Sequence, residues 1–142
     1  MNREKIYAAL YQVLQSAYPW VTSNRVLAHW SDMAPTQQPA MFMTQAGETA
    51  IVETRQPTVY QLNVRVYIYV RSQTQDGDVP AQLLNQVLDA VTDVMRPSRA
   101  AEVFTLGGLV HYARIEGAIE TDEGLLGEQA VAIIPIILLT VD

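Results

Sequence analysis

Two histidines, His29 and His111, and an acidic group, Glu116, Glu120, Asp122, Glu123 and Glu128, are the side chains of this sequence best suited to chemistry. A metal site draws such ligands together, and metal-binding sequences announce it by close ligand spacing. Neither histidine has a second ligand at such a spacing, so a site joining them to Asp122 or Glu123 has no sequence signature. Asp76-Gly77-Asp78 resembles the start of a calcium loop, but no bidentate glutamate follows at the proper distance. It reads instead as a turn whose second acid caps a helix. Ser23, Ser31 and Thr105 are nucleophiles only in principle, because nothing marks a strained elbow or an oriented base. The adjacent acids Asp122 and Glu123 suit general acid–base work, yet in a glycine-bearing link they read as solvent-facing. Gly107-Gly108 in TLGG leads into a strand, so it lacks the helix N-terminus that an anion site uses. No dinucleotide fingerprint, phosphate loop or H-E-x-x-H occurs. The expectation is a chain with no catalytic residues, no metal and no cofactor.

What remains is surface. Seven tyrosines are present, and Tyr67 and Tyr69 are flanked by Arg65 and Arg71 along one face of a strand. Tyrosine and arginine bury large area while keeping a polar end, which suits interfaces. The same rings would equally serve beneath a helix. Trp20 and Trp30 read as packing anchors.

The 142 residues are read as one domain, with 49% hydrophobic and 17% charged residues, a globular composition. Cysteine is absent, which removes disulfides and thiol chemistry. The N-terminus carries charge and then an amphipathic pattern, not a signal-peptide core. No apolar run is long enough to span a membrane. Net charge is −6 and Lys5 is the only lysine, which argues against gripping nucleic-acid phosphate. It is compatible with a surface that DNA slides past.

The elements that position these residues follow from periodicity. Residues 3–17 form a helix with Ile6, Leu10, Val13, Leu14 and Ala17 on one stripe, Asn2 as N-cap and Tyr7, Tyr11 and Tyr18 on the rim. A second helix spans 80–95, capped by Asp78 or Val79, with Leu83, Leu84, Val87, Leu88, Val91, Val94 and Met95 buried. Residues 59–71 alternate, with Tyr60, Leu62, Val64, Val66, Ile68 and Val70 on the face toward the core. Strands at 40–45 and 50–55 flank a hairpin-like break at 46–48, and 109–119 alternates more weakly. Residues 25–30 form a short strand or an extended lead-in. Residues 72–79 form a polar link, a flap or a plain connection.

The last strand, 130–141, is apolar at both even and odd positions, so it demands cover on both sides. Pro135 sits in its middle, although proline belongs on edges or bulges. Such a strand asks for its own helices or another subunit. Strands joined by tight links, with helices gathered apart, give an α+β fold with a mainly antiparallel sheet.

The order of several blocks resembles the small tail terminator or tail completion proteins of long-tailed bacteriophages and prophages, including lambda-like ones. They are RVLAHW (25–30), QQPAMFM (38–43), YQLNVRVYIYV (60–70), PAQLLNQVLDAV (80–91), TLGGLVHYARIEGAIETDEG (105–124) and VAIIPIIL (131–138). The resemblance implies two helices packed on an antiparallel sheet and assembly into a homo-oligomeric, hexameric ring in the virion tail. Such a ring caps the tail tube, ends its polymerisation and meets the head–tail connector, while DNA passes through without specific binding. It implies assembly in the host cytoplasm and no membrane contact. Under this reading Glu116, Glu120, Asp122, Glu123 and Glu128 are candidates for the lumen or a ring face. Arg65, Tyr67, Tyr69, Arg71, Asp76, Asp78 and Pro135 are candidate contacts with other copies, the tube or the head. A small non-viral α+β module that binds a ligand or protein is the alternative.

Overall fold

The computed structural model describes residues 1–71, 80–99, 102–123 and 129–142. Its first helix, α1 (Arg3–Ser16), begins where Asn2 accepts the Lys5 amide at 3.0 Å, with Glu4 in the first turn. No basic residue closes its last turn. Instead Trp20 Nε1 donates to the Leu14 carbonyl at 2.9 Å, and Ser16 Oγ donates to that of Val13 at 2.6 Å. These bonds satisfy C-terminal acceptors that a helix leaves unpaired. The chain then enters β1 (Thr22–Asn24), two 3-10 turns at Trp30–Asp32 and Pro35–Gln37, and the long strands β2 (Ala40–Ile51) and β3 (Val59–Arg71). Helix α2 (Pro80–Val94) follows, then the short strands β4 (Tyr112–Ile115) and β5 (Glu120–Glu123), and finally β6 (Gln129–Val141).

Among the described residues these strands form one six-stranded sheet in the order β1-β2-β3-β6, with β4 and β5 both on the outer side of β6. Only β1 and β2 run parallel; the other pairings are antiparallel. The fold is α+β. Its centre is the pairing of β3 with β6, which runs in register from Val59 opposite Val141 to Arg71 opposite Gln129.

One face carries the main core. Leu62, Val64, Val66, Ile68 and Val70 of β3 lie beside Ala132, Ile134, Ile136 and Leu138 of β6, all at 0–1% exposure. Over them sit Ile6, Leu10 and Leu14 of α1 and Leu84, Val87 and Val91 of α2, the stripes that helical spacing predicts. Tyr7 departs from the predicted rim position. It is 3% exposed and part of the core, and burial raises its hydroxyl pKa.

Three expectations are corrected. Residues 46–48 are not a turn: β2 continues through them, and the register shift between Gln45 and Glu48 is a bulge at Gly47, whose φ is +92°. The β2–β3 turn lies beyond Ile51. Second, the 109–119 strand is restricted to β4, and the acidic stretch 120–123 is itself a strand rather than a solvated link. Third, Pro135 is not on an edge of the sheet, since β6 is flanked on both sides. Of the two readings of 25–30, the lead-in holds and the parallel pairing sits at Thr22–Asn24.

The accommodation of Pro135 is local. In an antiparallel strand the nitrogen and carbonyl of one residue point to the same side. The Pro135 carbonyl accepts the Glu116 amide at 3.2 Å, so its nitrogen also faces outward, into the interval between Ile115 and Glu120. There the outer strand is interrupted, and no donor is required. The interruption turns at Gly117, with φ +114° and a missing Cβ that would lie 3.2 Å from Pro135 Cγ. Gly117→Ala is therefore expected to destabilise the fold by roughly 1–3 kcal/mol, from backbone strain and the close contact together. Pro135→Ala is expected to cost less in the same urea titration, because no ladder bond depends on that nitrogen.

Candidate interaction surface

Among the described residues no α-helix lies on the second face of the sheet. It is built from the odd positions of β3 and β6, joined by residues whose register places them on the same side. Gln61, Asn63, Arg65 and Tyr67 lie beside Ile133, Pro135, Ile137 and Leu139. Arg114 stands opposite Ile137, Glu120 opposite Ile133 and Asp122 opposite Val131. Thus β6 is buried at every even position from Ala130 to Thr140 but only half-buried at the odd ones. The two-sided cover that its apolarity predicts is complete on the helical side alone.

One end of this face is closed by the chain between β1 and β2. Met33, Ala40, Phe42 and Tyr69 form a second buried cluster, with Ala28, Trp30, Tyr67 and Val131 against it. Tyr69 donates its hydroxyl to the Ala28 carbonyl at 2.7 Å, and its ring lies 5.6 Å from that of Phe42. Burial pushes the Tyr69 pKa up. Below it, Gln38 donates to Gln129 Oε1, and Gln129 Nε2 donates to the Trp30 carbonyl at 3.4 Å. Gln38 and Gln129 are 8% and 4% exposed, and Gln38 Oε1 has no partner among the described residues. These two amides tie the 30–38 segment to the start of β6. The choice posed by the tyrosines is therefore settled differently for each. Tyr69 is a core residue under a loop, not a surface contact, while Tyr67 is half-buried at the cluster's rim.

The remaining candidates divide by position. Arg65 is exposed on the open face, Pro135 is half-buried there, and Arg71 is half-buried at the end of β3. Glu116 is exposed and pairs with Arg114 at 3.1 Å, whose guanidinium also lies 4.2 Å from the Tyr112 ring centroid. Glu120 is exposed and Asp122 half-buried on the open face, whereas Glu123 is exposed on the helical side. Four of the five acids thus follow a single sheet edge. Glu128, Asp76, Asp78 and the 72–79 link lie outside the described residues, as does the expected cap of α2.

Between the acidic edge and the Arg65–Tyr67 row runs a shallow groove. One part, about 310 Å³, is lined by Trp30, Glu120, Thr121, Asp122, Val131 and Ile133. The adjoining part, about 210 Å³, is lined by Arg65, Tyr67, Ala118, Glu120, Ile133 and Pro135. Its floor is apolar, one wall is acidic and the other carries a cation and a phenol. Such a lining suits side chains of another protein surface.

Four of the residues weighed for catalysis, Ser23, His29, Ser31 and Thr105, have local structural partners. His29 Nδ1 accepts the Ser31 amide at 3.2 Å and contacts Ser31 Oγ at 2.6 Å, closing a 3-10 turn. Ser23 Oγ accepts from Tyr11 and Gln15, each at 3.2 Å. Thr105 Oγ1 and its carbonyl both accept the Gly108 amide at 3.1 Å, so TLGG is the turn its glycines suggest. The histidines sit apart: His111 donates its amide to Leu139 near the end of β6, and His29 adjoins Trp30 near the start. No three metal-capable side chains converge among the described residues.

Sequence reasoning overlooked the turn between β2 and β3. With the break misplaced at 46–48, Ile51 and Val52 were not read as a tip, although they are 40% and 74% exposed. An apolar pair just before the polar run Glu53-Thr54-Arg55-Gln56 was the available signal. Behind the tip, Arg3 holds Glu48 through Nε at 2.8 Å and Nη2 at 2.7 Å.

No protein-family model matches the chain, and no curated protein matches it. It is similar to a chain from the solved virion of the native gene transfer agent particle, with a TM-score of 0.55. The likeness covers 95% of this chain and 93% of that one. At 8% identity it is a likeness of fold.

Two measurements check this surface. Gln129→Ala leaves the buried Gln38 amide only the long bond from Nε2 to the Met33 carbonyl at 3.5 Å, and is expected to cost about 1–3 kcal/mol in chemical denaturation. Hydrogen exchange should then rise first in residues 30–38. The Arg3 hydrogen bonds hold the Glu48 carboxyl below its ordinary value, so their contribution is present above that value and fades as pH falls through the lowered one. The stability gap between wild type and Glu48→Gln should accordingly be widest near neutrality and close in acid.

Proposed function

We propose that this chain is a structural protein of a phage-like particle, a tail terminator subunit that assembles with its own copies into a ring. The ring caps the tail tube, ends its growth and offers a surface to the head connector. The observation that carries this reading is the likeness of fold, end to end, to a chain from a gene transfer agent virion. The ordered sequence blocks that resemble tail terminators supply the finer assignment. A non-catalytic role agrees with the commitment of Ser23, His29 and Thr105 to local hydrogen bonds.

Charge is consistent with it. A net charge of −6 disfavours adhesion to DNA passing through a ring. The acidic edge formed by Glu116, Glu120, Asp122 and Glu123 is the candidate lumen or ring-face surface. The expected partners are the tail tube protein and the head–tail connector, with no cofactor.

Electron microscopy of the purified protein, alone and mixed with polymerising tail tube protein, tests the reading. Rings with an open centre, and tubes that stop lengthening once capped, are expected. A chain that stays monomeric at high concentration and leaves tube growth unchanged would instead mark a small binding module.

A further inference from the structure

The groove on the open face has an apolar floor, and no described residue of its own chain is seen to fill it. Its occupant must bring an apolar side chain flanked by charges of both signs, because Glu120 and Asp122 form one wall and Arg65 stands in the other. The β2–β3 tip has that composition. Val52 is the most exposed large hydrophobic residue of the described chain, at 74%, and is followed by Glu53 and Arg55. Arg55 complements the acidic wall, and Glu53 complements Arg65.

The tip cannot reach the groove of its own subunit. From Val59, where the tip rejoins the sheet, β3 runs about 27 Å before it reaches Tyr67 beside the groove. Complementary surfaces at opposite ends of one sheet fit only between molecules. We propose that Ile51 and Val52 of one copy seat on Ile133 and Pro135 of the next. The contact is head-to-tail: tip and groove are different patches, so each subunit offers one of each. Repetition of such a contact gives a closed ring when the rotation closes and a filament when it does not. This inference rests on the ring reading above and names the surfaces that would build it. Local pairing of opposite charges also lets copies that each carry a net charge of −6 approach one another.

The absence of cysteine makes the contact directly testable. A Val52→Cys/Ile133→Cys double variant, mildly oxidised, is expected to give a ladder of covalent multimers on a non-reducing gel. The Ile133→Cys single variant should give monomer, and Val52→Cys at most a dimer. A charge series covers the case in which Ile133→Cys perturbs the fold. Arg55→Glu should weaken assembly about tenfold in light scattering, and adding Glu120→Arg should restore it. Rings of wild-type protein without a ladder, and with no effect of Arg55→Glu, would overturn the tip-and-groove contact and leave the ring reading standing. Wild-type protein that forms no rings, alone or on tubes, and no ladder would overturn both. A ladder that stops at dimers in the double variant would point to a two-fold contact and likewise overturn the proposal.

Discussion

The full-length antiparallel pairing of β3 with β6 is the constraint on which the other elements depend. Its register places Leu62 to Val70 beside Ala130 to Leu138 on one side and Arg65 and Tyr67 beside Ile133 and Pro135 on the other. A slip of one residue would exchange these faces and expose the core. Both helices and the 30–38 segment are positioned by what this pair of strands presents. The alanines at 113, 130 and 132, at 0–1% exposure, are the small residues of the core face of β4 and β6. The groove arises on the opposite face, where the odd residues of β6 are larger and less covered.

Periodicity made much of this readable. The strict alternation of 59–71 specified β3 and its core face, both helices carried their stripes, and Asn2 was legible as the cap of α1. The errors have physical causes. Gly47 supports a turn and a bulge equally well, because both need positive φ, and only the partner strand distinguishes them. Glu120 to Glu123 has poor strand propensity, and the backbone of β6 imposes its conformation. Pro135 was placed on an edge because proline lacks a donor. The sequence does not reveal that the neighbouring strand is interrupted opposite that position.

The surface was less legible than the core. Tyr67 and Tyr69 share a face and a chemistry, yet one lines a groove and the other is buried beneath Ala28. That difference comes from where a loop with no regular periodicity crosses the sheet. The division of Glu120, Asp122 and Glu123 between two faces of the sheet required the register of β5 on β6. Fold likeness to a virion chain at 8% identity fits this picture, since such a core constrains residue character more than residue identity.

The interruption at Gly117 and Pro135 has a bearing on how copies of this chain can meet. Exposed strand edges invite indefinite lateral growth of one sheet onto another. Here the outer edge is split into two four-residue strands, one of them acidic, and the Ala113 amide of the other already donates to Phe104 at 2.7 Å. At the opposite margin β1 covers the start of β2, and Arg3 binds Glu48 further along. Fibre-like stacking of backbones is thereby discouraged at both margins. Association is left to side-chain surfaces, whose shape and charge can limit an assembly to a finite number of members.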